Sequence, residues 1–496
     1  MNRIIHYVMG GNIKPDKKSL DILTAMSKQE GIRSIIVLPD IHYKHSYHTP
    51  TGVAVFTEDK IFPKFVNPNC GISFIAIPVK RKDITNKQID QIFNSLRKEI
   101  SVAPRIKPNI SLEELKSILL KGAEPVYNKH GLDKSCLKNL ENKGNIFSGK
   151  NKTIHQILSS LPKEALKMGQ RSFGVLGYGN HFLEMQRVKE ILNPQIASKF
   201  GLEKDQLCIM LHSDSRAFGR VVHDHYSKKA EKLFGLHNIY KKVHYKIVSS
   251  KAVPGTIKKL FEKFNYYANR VKSTLYLRLD FLRHGLSAKF GSISTKEKYT
   301  QNFINATQSA INFGYANRAY MTSLVQKAFQ KVITKKIKFN ILYDCNHDSL
   351  QQENIDGKLL WAHRNGASTA YPKKHYPNHP IFSQTGQPIP IPGCLGGASF
   401  LCAASTSSKK SMYSSPHGAG RKFDRPEARG KFKRKDVLKN LKSLGLKIYD
   451  YGKGNTGEES PSAFKNIHHV IKIVEDHGIA KPVAEMEPVA VLKGWT

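Results

Sequence analysis

The amino-acid sequence predicts a mixed α and β fold of the α+β class, and two kinds of segment lead to that prediction. Short stretches rich in Ile and Val, bounded by Gly, Pro and Asn, have the composition of buried strands. Elsewhere apolar residues recur every three or four positions, as they do on the buried face of an amphipathic helix. The two kinds are intermixed without a regular strand-helix alternation, which favours an α+β arrangement over a doubly wound sheet.

The predicted elements follow one another from the N-terminus. Apolar residues spaced by three after Pro15 predict a helix that ends at Gly31. Three buried strands come next, in the segments IRSIIVL, TGVAVF and GISFIAIPV, at residues 32 to 38, 51 to 56 and 71 to 79. Helical spacing returns at residues 89 to 100, and another amphipathic helix is expected over residues 301 to 330.

The chain is strongly basic. Its 496 residues include 79 Lys and Arg against 39 Asp and Glu, a formal net charge of +40. Such an excess repels itself unless an anionic partner is near, and a polyphosphate is the natural partner. The charge therefore favours a protein that binds nucleic acid.

Cysteine usage and hydropathy indicate the compartment. The six cysteines contain no CxxC pair, which argues against a zinc ribbon or a disulfide framework and suits a reducing cytosol. The N-terminal segment MNRIIHYVMGGN does not fit a signal peptide, and no stretch approaches the roughly 20 apolar residues that span a bilayer. We expect a soluble cytoplasmic protein without a membrane partner.

One region differs in composition from the rest. Residues 226 to 292 hold 15 Lys or Arg against 3 Asp or Glu, with 11 aromatic residues among them. Basic and aromatic side chains together can hold phosphates and stack on bases. A helical hairpin with buried aromatics and solvated lysines fits the composition equally well. A second basic run spans residues 420 to 436 and suits a flexible solvated loop.

Several histidines stand at predicted strand ends or in small-residue turns, beside one cysteine in an NPNC turn. They are His42, His181, His212, His347 and His417, with Cys70 in the turn. Imidazole and thiolate donors from separate segments suit Zn, Mn, Fe or Co. From the residues alone Cys70 has three readings: a metal ligand, a nucleophile activated by a histidine, or a small buried side chain.

The segment HGAGR is a different signal. Gly418, Ala419 and Gly420 leave room for a phosphate to approach the backbone, and Arg421 can donate to it. His417 could attack phosphorus and carry a phosphoryl or nucleotidyl group. A five-residue segment of this composition can equally be an ordinary turn with no catalytic role. The small-residue loop IPGCLGGAS, residues 391 to 399, is of the kind that lines a nucleotide pocket.

A series of these motifs resembles the RtcB RNA ligase family. In that family's order the chain contains LPDIHY, NPNC, GNHFLEMQ, HSDSR, ANR, YDCNH, HRNGA, GQPIPIPG, HGAGR and VLKG. The series covers most of the chain. The resemblance implies one RtcB-like domain over residues 1 to 496, with the basic region 226 to 292 as an insertion that is expected to be helical.

The resemblance also implies an activity. Family members use GTP and Mn²⁺ to join an RNA 3′-phosphate or 2′,3′-cyclic phosphate to a 5′-hydroxyl, in tRNA splicing or RNA repair. A histidine is guanylylated, GMP passes to the RNA 3′-phosphate, and the 5′-hydroxyl displaces GMP. The matching histidine is His417. A monomer is expected, with tRNA among the candidate substrates and room for an activating protein partner.

Site residues carry over from the same motifs. Two manganese ions are implied, with Cys70 bridging them, His181 toward one, and His212 with His347 toward the other. Asn67 stands where the family has an aspartate ligand, so weaker binding of the first ion is expected. The residues implied to bind the nucleotide are Asn180, His181, Phe182, Leu183, Glu184, His347, Asp348, Pro392, Gly393, Cys394, Leu395, Ser399, Gly418, Ala419, Gly420 and Lys493.

The departures from the family pattern keep two alternatives open. Asp214 replaces a usual glycine, Asn365 a lysine and Phe464 a tyrosine. A divergent relative could activate or cap 3′-phosphate ends without sealing them. A non-catalytic RNA-binding protein on the same fold would need only the charge and the aromatic insertion.

Overall fold

The computed structural model describes residues 4 to 11, 13 to 44, 49 to 65, 70 to 233, 292 to 333, 337 to 452 and 454 to 495. The helices in these ranges are α1 Lys17–Ser27, α2 Asn86–Glu99, α3 Leu112–Lys121, α4 Glu124–His130, α5 Ile154–Leu158, α6 Ala165–Ser172, α7 Pro194–Phe200, α8 Arg216–Leu233, α9 Lys298–Ile333, α10 Phe382–Thr385, α11 Arg425–Lys431, α12 Arg434–Ser443 and α13 Ile467–Asp476. The strands are β1 Ile5–Tyr7, β2 Ile32–His42, β3 Thr51–Thr57, β4 Lys60–Ile61, β5 Cys70–Lys80, β6 Phe182–Ile191, β7 Gln206–Asp214, β8 Ile293–Ser294, β9 Asn340–Asn346, β10 Asp348–Ile355, β11 Lys358–Asn365, β12 Ala367–Thr369, β13 Pro388–Ile391, β14 Ser399–Ala404, β15 Ser414–Pro416, β16 Lys447–Asp450 and β17 Ala480–Lys493.

These elements confirm the predicted α+β class and the three helices and three strands predicted outside the basic region, although the first helix ends at Ser27 and not at Gly31. The helix after Pro15 is α1, which begins at an Asp16 cap whose carboxylate accepts the backbone N–H of Ser19. The three predicted strands are β2, β3 and β5. The basic region 226 to 292 lies almost entirely outside the described residues.

An eight-stranded sheet carries much of the site. Its order is β13-β14-β17-β6-β7-β5-β9, with β16 paired to β17 in parallel. In the β5-β7 register Cys70 stands opposite Asp214, and in the β6-β7 register Phe182 stands opposite His212. Because opposite residues on paired strands share a face, these registers bring the ends of three strands to one place.

The long helix α9 is buried along most of its length and fixes that end of the sheet. Its Arg318 forms a fully buried ion pair with Asp344 of β9, at 2.6 Å, and also donates to the Ser213 carbonyl of β7. Gly71 permits this approach, since a Cβ there would lie 2.6 Å from the Arg318 guanidinium. One arginine therefore ties β7 and β9 together beside Cys70.

A second, five-stranded sheet has the order β1-β2-β3-β11-β10. Strand β2 continues past its predicted end at Leu38 to His42, and it carries Asp40. The short pair β12-β15 leads from the end of β11 to His417. The two sheets therefore approach each other where Cys70 and His417 lie.

Candidate functional site

Cys70, His181, His212 and His347, which we call the Cys/His cluster, converge where the strands end. Cys70 Sγ lies 3.2 Å from His181 Nε2 and 3.2 Å from His212 Nε2. His212 Nε2 lies 3.2 Å from His347 Nε2. All four side chains are buried. The structure thus gathers residues that are up to 277 positions apart in the sequence.

The protonation of the cluster suits a cation. Burial lowers the pKa of His181, His212 and His347 well below that of free imidazole, so these rings are neutral and offer lone pairs. Burial raises the pKa of the Cys70 thiol, and a bound cation would reverse that by stabilising the thiolate. Ligand atoms about 2.0 to 2.3 Å from a metal lie about 3 to 4 Å apart, as these do. The donor set therefore fits a metal.

Hydrogen bonds at Nδ1 orient the rings of His212 and His181. His212 Nδ1 lies 2.9 Å from the Asn180 carbonyl oxygen, so Nδ1–H donates and Nε2 keeps its lone pair for a metal. Arg216 donates to His181 Nδ1 at 2.9 Å, which leaves the proton of that ring on Nε2. A cation bound at His181 Nε2 would require the ring proton to move to Nδ1, and Arg216 could then no longer donate to Nδ1.

Asp348 joins the cluster from the His347 side. Cys70, His347 and Asp348 have donor atoms within 4.8 Å of one another, as do Cys70, His181 and His212. Asp348 accepts the Gly366 backbone N–H at 2.8 Å, and burial raises its pKa to about 6. The carboxylate expected to contact a nucleotide therefore also lies within reach of a metal.

His417 stands beside the cluster and is held by Asp40. Its Nδ1 lies 2.6 Å from Asp40 Oδ2, which also accepts the His417 backbone N–H at 3.0 Å. Burial lowers the pKa of His417, but the hydrogen bond and the charge of Asp40 outweigh it and the net shift is upward. The His417 and His347 ring centroids are 4.8 Å apart.

The HGAGR loop fits against Asp40 through Gly420. This glycine has φ of +71°, and a Cβ on it would lie 2.3 Å from the Asp40 carbonyl oxygen. A larger residue would be strained and would displace Asp40. His42 completes the contact, with Nδ1 2.9 Å from the same carbonyl.

A cleft of about 310 Å³ opens from His417 and from His212 and His347 of the cluster toward Glu184. Glu184 is buried, and burial raises its pKa to about 7 against the opposing hydrogen bond from Gln186. Ser399 accepts a hydrogen bond from Gln186 at 3.1 Å and another from the Gly393 backbone at 3.2 Å. Gln186 thus couples a buried carboxylate to the 391 to 399 loop.

Basic residues close the same end of the cleft. Lys493, at the end of β17, donates to the Gly179 carbonyl at 2.6 Å and lies 3.4 Å from Glu459. Arg425 donates to the Asn180 side chain at 3.1 Å and pairs with the buried Glu458 at 3.2 Å. We call this part of the cleft, lined by Glu184, Ser399, Lys493, Arg425 and residues 392 to 395, the Glu184 end.

Most residues expected to bind the nucleotide line the cleft. They are Asn180, Phe182, Glu184, His347, Asp348, Pro392, Gly393, Cys394, Leu395, Ser399, Gly418, Ala419, Gly420 and Lys493, with His417. The Leu183 side chain lies elsewhere, in the hydrophobic core with Met185. Asn67, the expected extra ligand, lies outside the described residues.

Three residues at the site were not among the predicted site residues. Asp40 lies in the LPDIHY motif, but the motif does not indicate its contact with His417, which is 377 positions away in the sequence. Arg216 ends the HSDSR motif and Arg425 lies in the basic run 420 to 436, but neither pattern indicates a contact with His181 or Asn180. Of the departures, Asn365 is buried and donates to Thr49 at 2.8 Å, while Phe464 lies under the Arg421 guanidinium at 4.6 Å.

Comparison with known proteins matches the sequence of this chain to one family. The family model described as tRNA-splicing ligase RtcB matches residues 22 to 494. The chain belongs to the RtcB family. The predicted resemblance is thereby confirmed, as is the prediction of an RNA ligase enzyme.

Individual relatives agree with the family match. The tRNA-splicing ligase RtcB of Nanoarchaeum equitans is 28% identical over 97% of this chain and 92% of its own length. That of Thermococcus kodakarensis is 28% identical over 92% of this chain and 87% of its own. The Pyrococcus abyssi protein of the same name is 28% identical over 86% of this chain, which spans only 42% of that protein.

Each helix in the described residues falls short, in length or in hydropathy, of what crossing a bilayer demands.

Proposed function

We propose that this RtcB-family protein is a GTP- and Mn²⁺-dependent ligase that joins RNA 3′-phosphate or 2′,3′-cyclic phosphate ends to 5′-hydroxyl ends, in tRNA splicing or RNA repair. Covalent guanylylation of His417 is the central step. The observation that carries the proposal is the position of His417, which lies between Asp40 and the Cys/His cluster in the cleft that leads to Glu184.

Asp40 prepares His417 to act as a nucleophile. Because Asp40 accepts from Nδ1–H, the lone pair of the neutral ring is on Nε2. Attack on the α-phosphorus of GTP forms the Nε2–P bond, and the P–O bond to pyrophosphate breaks with its electron pair leaving on pyrophosphate. The Asp40 carboxylate stabilises the positive charge that the ring acquires, as a carboxylate partner does for a catalytic histidine.

The Glu184 end suits guanine. An ionised carboxylate can accept from both N1–H and the N2 amino group of guanine, whereas adenine presents an acceptor at N1. Lys493 and Arg425 line the same end of the cleft, where Glu459 and Glu458 pair with them. Residues 392 to 395 would then wrap the nucleotide, as the resemblance implies.

The Cys/His cluster and Asp348 would hold two manganese ions. Bound cations supply charge neutralisation to the triphosphate and to the RNA phosphate. The Asp348 carboxylate beside the imidazoles favours Mn²⁺ over softer ions, and Cys70 belongs to both donor groups and would be shared between the ions. A reducing cytoplasm keeps Cys70 and the other five free cysteines as thiols.

The excess of basic residues, including those in the sequence segment 226 to 292, is proposed to bind the RNA, with tRNA as one candidate substrate and the protein acting as a monomer. An activating protein partner would promote turnover. Two alternatives remain distinct: capping of 3′-phosphate ends without sealing, and RNA binding without catalysis.

A joining assay tests the proposal. Purified protein with GTP and Mn²⁺ should ligate an RNA carrying a 3′-phosphate to one carrying a 5′-hydroxyl. His417→Ala should abolish joining, while His469→Ala, an exposed histidine on α13, should retain it. Capped 3′ ends without joined product would favour the capping alternative, and RNA binding with neither product would favour the binding alternative.

A further inference from the structure

The two halves of the metal-binding region differ in charge. The half formed by Cys70 and His347 includes the carboxylate of Asp348, whereas the three residues of the other half, Cys70, His181 and His212, include no carboxylate. Two dications bring a charge of about +4 into a buried site, which needs anionic ligands to be stable. The second half therefore lacks a hard anionic donor unless a nearby residue supplies one.

Asp214 stands next to that half. The β5-β7 register places it directly opposite Cys70, and both side chains lie on the same face of the sheet. Its Oδ2 is 3.5 Å from His181 Nε2, the nitrogen that would bind a metal.

The other carboxylate oxygen of Asp214 is already fixed. Oδ1 accepts the backbone N–H of Arg216 at 2.6 Å and the Arg216 guanidinium at 2.9 Å. Arg216 has φ of +54°, so the chain turns sharply after Asp214 and folds the arginine back onto it. These bonds hold one oxygen of the carboxylate and leave Oδ2 directed at His181.

We propose that Asp214 is a metal ligand of this protein, binding through Oδ2 the cation that Cys70 and His181 also bind. This rests on the two-metal site of the proposed function and assigns its missing carboxylate. Asn67, three residues before Cys70, can offer only a neutral amide oxygen by its chemistry. A carboxylate at Asp214 makes this half a harder site, better suited to Mn²⁺ than to a thiophilic ion.

Binding of Mn²⁺ to the metal-free protein tests the assignment without any activity measurement. Titration calorimetry, with the free ion followed by electron paramagnetic resonance, should show two Mn²⁺ ions in the wild-type protein. Asp214→Asn should weaken one of them by at least about tenfold and leave the other within about twofold. Asp476→Asn removes the same charge on the exposed surface of α13 and should change neither.

A change of ligand type separates coordination from a general charge effect. Asp214→Cys should shift the preference of the weakened ion from Mn²⁺ toward Cd²⁺ and add one thiolate to the cadmium charge-transfer absorption. Two Mn²⁺ ions bound with wild-type affinity by Asp214→Asn would overturn the assignment and leave the proposed function standing. Wild-type protein that binds no divalent cation would overturn the metal part of both.

Discussion

The Cys/His cluster and the Glu184 end of the cleft are built in different ways. The cluster takes its positions from strand register: Cys70 opens β5, His212 lies on β7, and His347 follows β9. The Glu184 end combines loops and strand ends from distant parts of the chain, held by ion pairs of Glu458 and Glu459 with basic residues.

The Cys/His cluster and the Glu184 end therefore depend on different interactions. Strand register is set by many backbone hydrogen bonds and by a buried core. The geometry of the Cys/His cluster should therefore be unaffected by surface substitutions and be lost when the packing at the end of the sheet is disturbed. Charge balance holds the Glu184 end, so its affinity should respond to pH and to single charge changes. His417 lies between the two regions and depends on both.

The largest effect on activity is expected from a substitution beside His417, between the two regions. Asp40→Asn removes the charge that orients and stabilises the His417 ring, and we expect the rate of guanylylation to fall on the order of 10³- to 10⁴-fold. Rapid-quench labelling with GTP measures that rate. Asp476→Asn is the charge-matched control, and equal rates in the Asp40 variant and the wild-type protein would contradict the role of Asp40.

Breaking the support of the cluster should have the next largest effect. Arg318→Met leaves Asp344 buried without its partner, which should lower the free energy of unfolding by about 3 to 5 kcal/mol. Chemical denaturation measures this loss, and Mn²⁺ binding should weaken with it. Lys472→Met removes one member of an exposed pair with Asp476 and should change stability little. Equal stability of the two variants would show that α9 does not hold the sheet end.

A smaller effect is expected from pH at the Glu184 end. The pKa of Glu184 is about 7, so the carboxyl becomes protonated as pH falls and loses its ability to accept both guanine donors. The preference for GMP over AMP should fall by up to about tenfold per pH unit below 7. Competitive binding at about pH 6 and about pH 8 measures it. Glu184→Gln should give a preference that does not vary with pH, and a pH-dependent preference in that variant would assign the titration to another group.

The sequence predicted the elements better than it predicted the contacts between them. The sequence predicts β2 over residues 32 to 38, whereas the structure continues the strand through Pro39 to His42. Side chains alternate between the two faces of strand β6, so Leu183 points away from Phe182 and Glu184 and lies in the hydrophobic core. A motif match assigns all three residues to the site because it ignores this alternation.

Residue type and position at strand ends indicate the cysteine and histidines as candidate metal donors, whereas their roles and the nucleotide contacts are predicted through the family motifs. His181, His212 and His347 lie in separate segments, and only the register of β5, β6, β7 and β9 makes them neighbours. The Asp214–Arg216–His181 contacts depend on a left-handed turn at Arg216, which has no sequence signature for a residue of this type.

Transfer of label from GTP to the protein tests the central claim most directly. With GTP labelled at the α-phosphate and Mn²⁺ present, we expect a covalent GMP adduct that peptide mass spectrometry places on His417. The His417→Ala variant should carry no label, and the His469→Ala variant should be labelled as the wild-type protein is. A folded, metal-loaded protein that forms no adduct, or an adduct on another residue, would contradict guanylylation of His417.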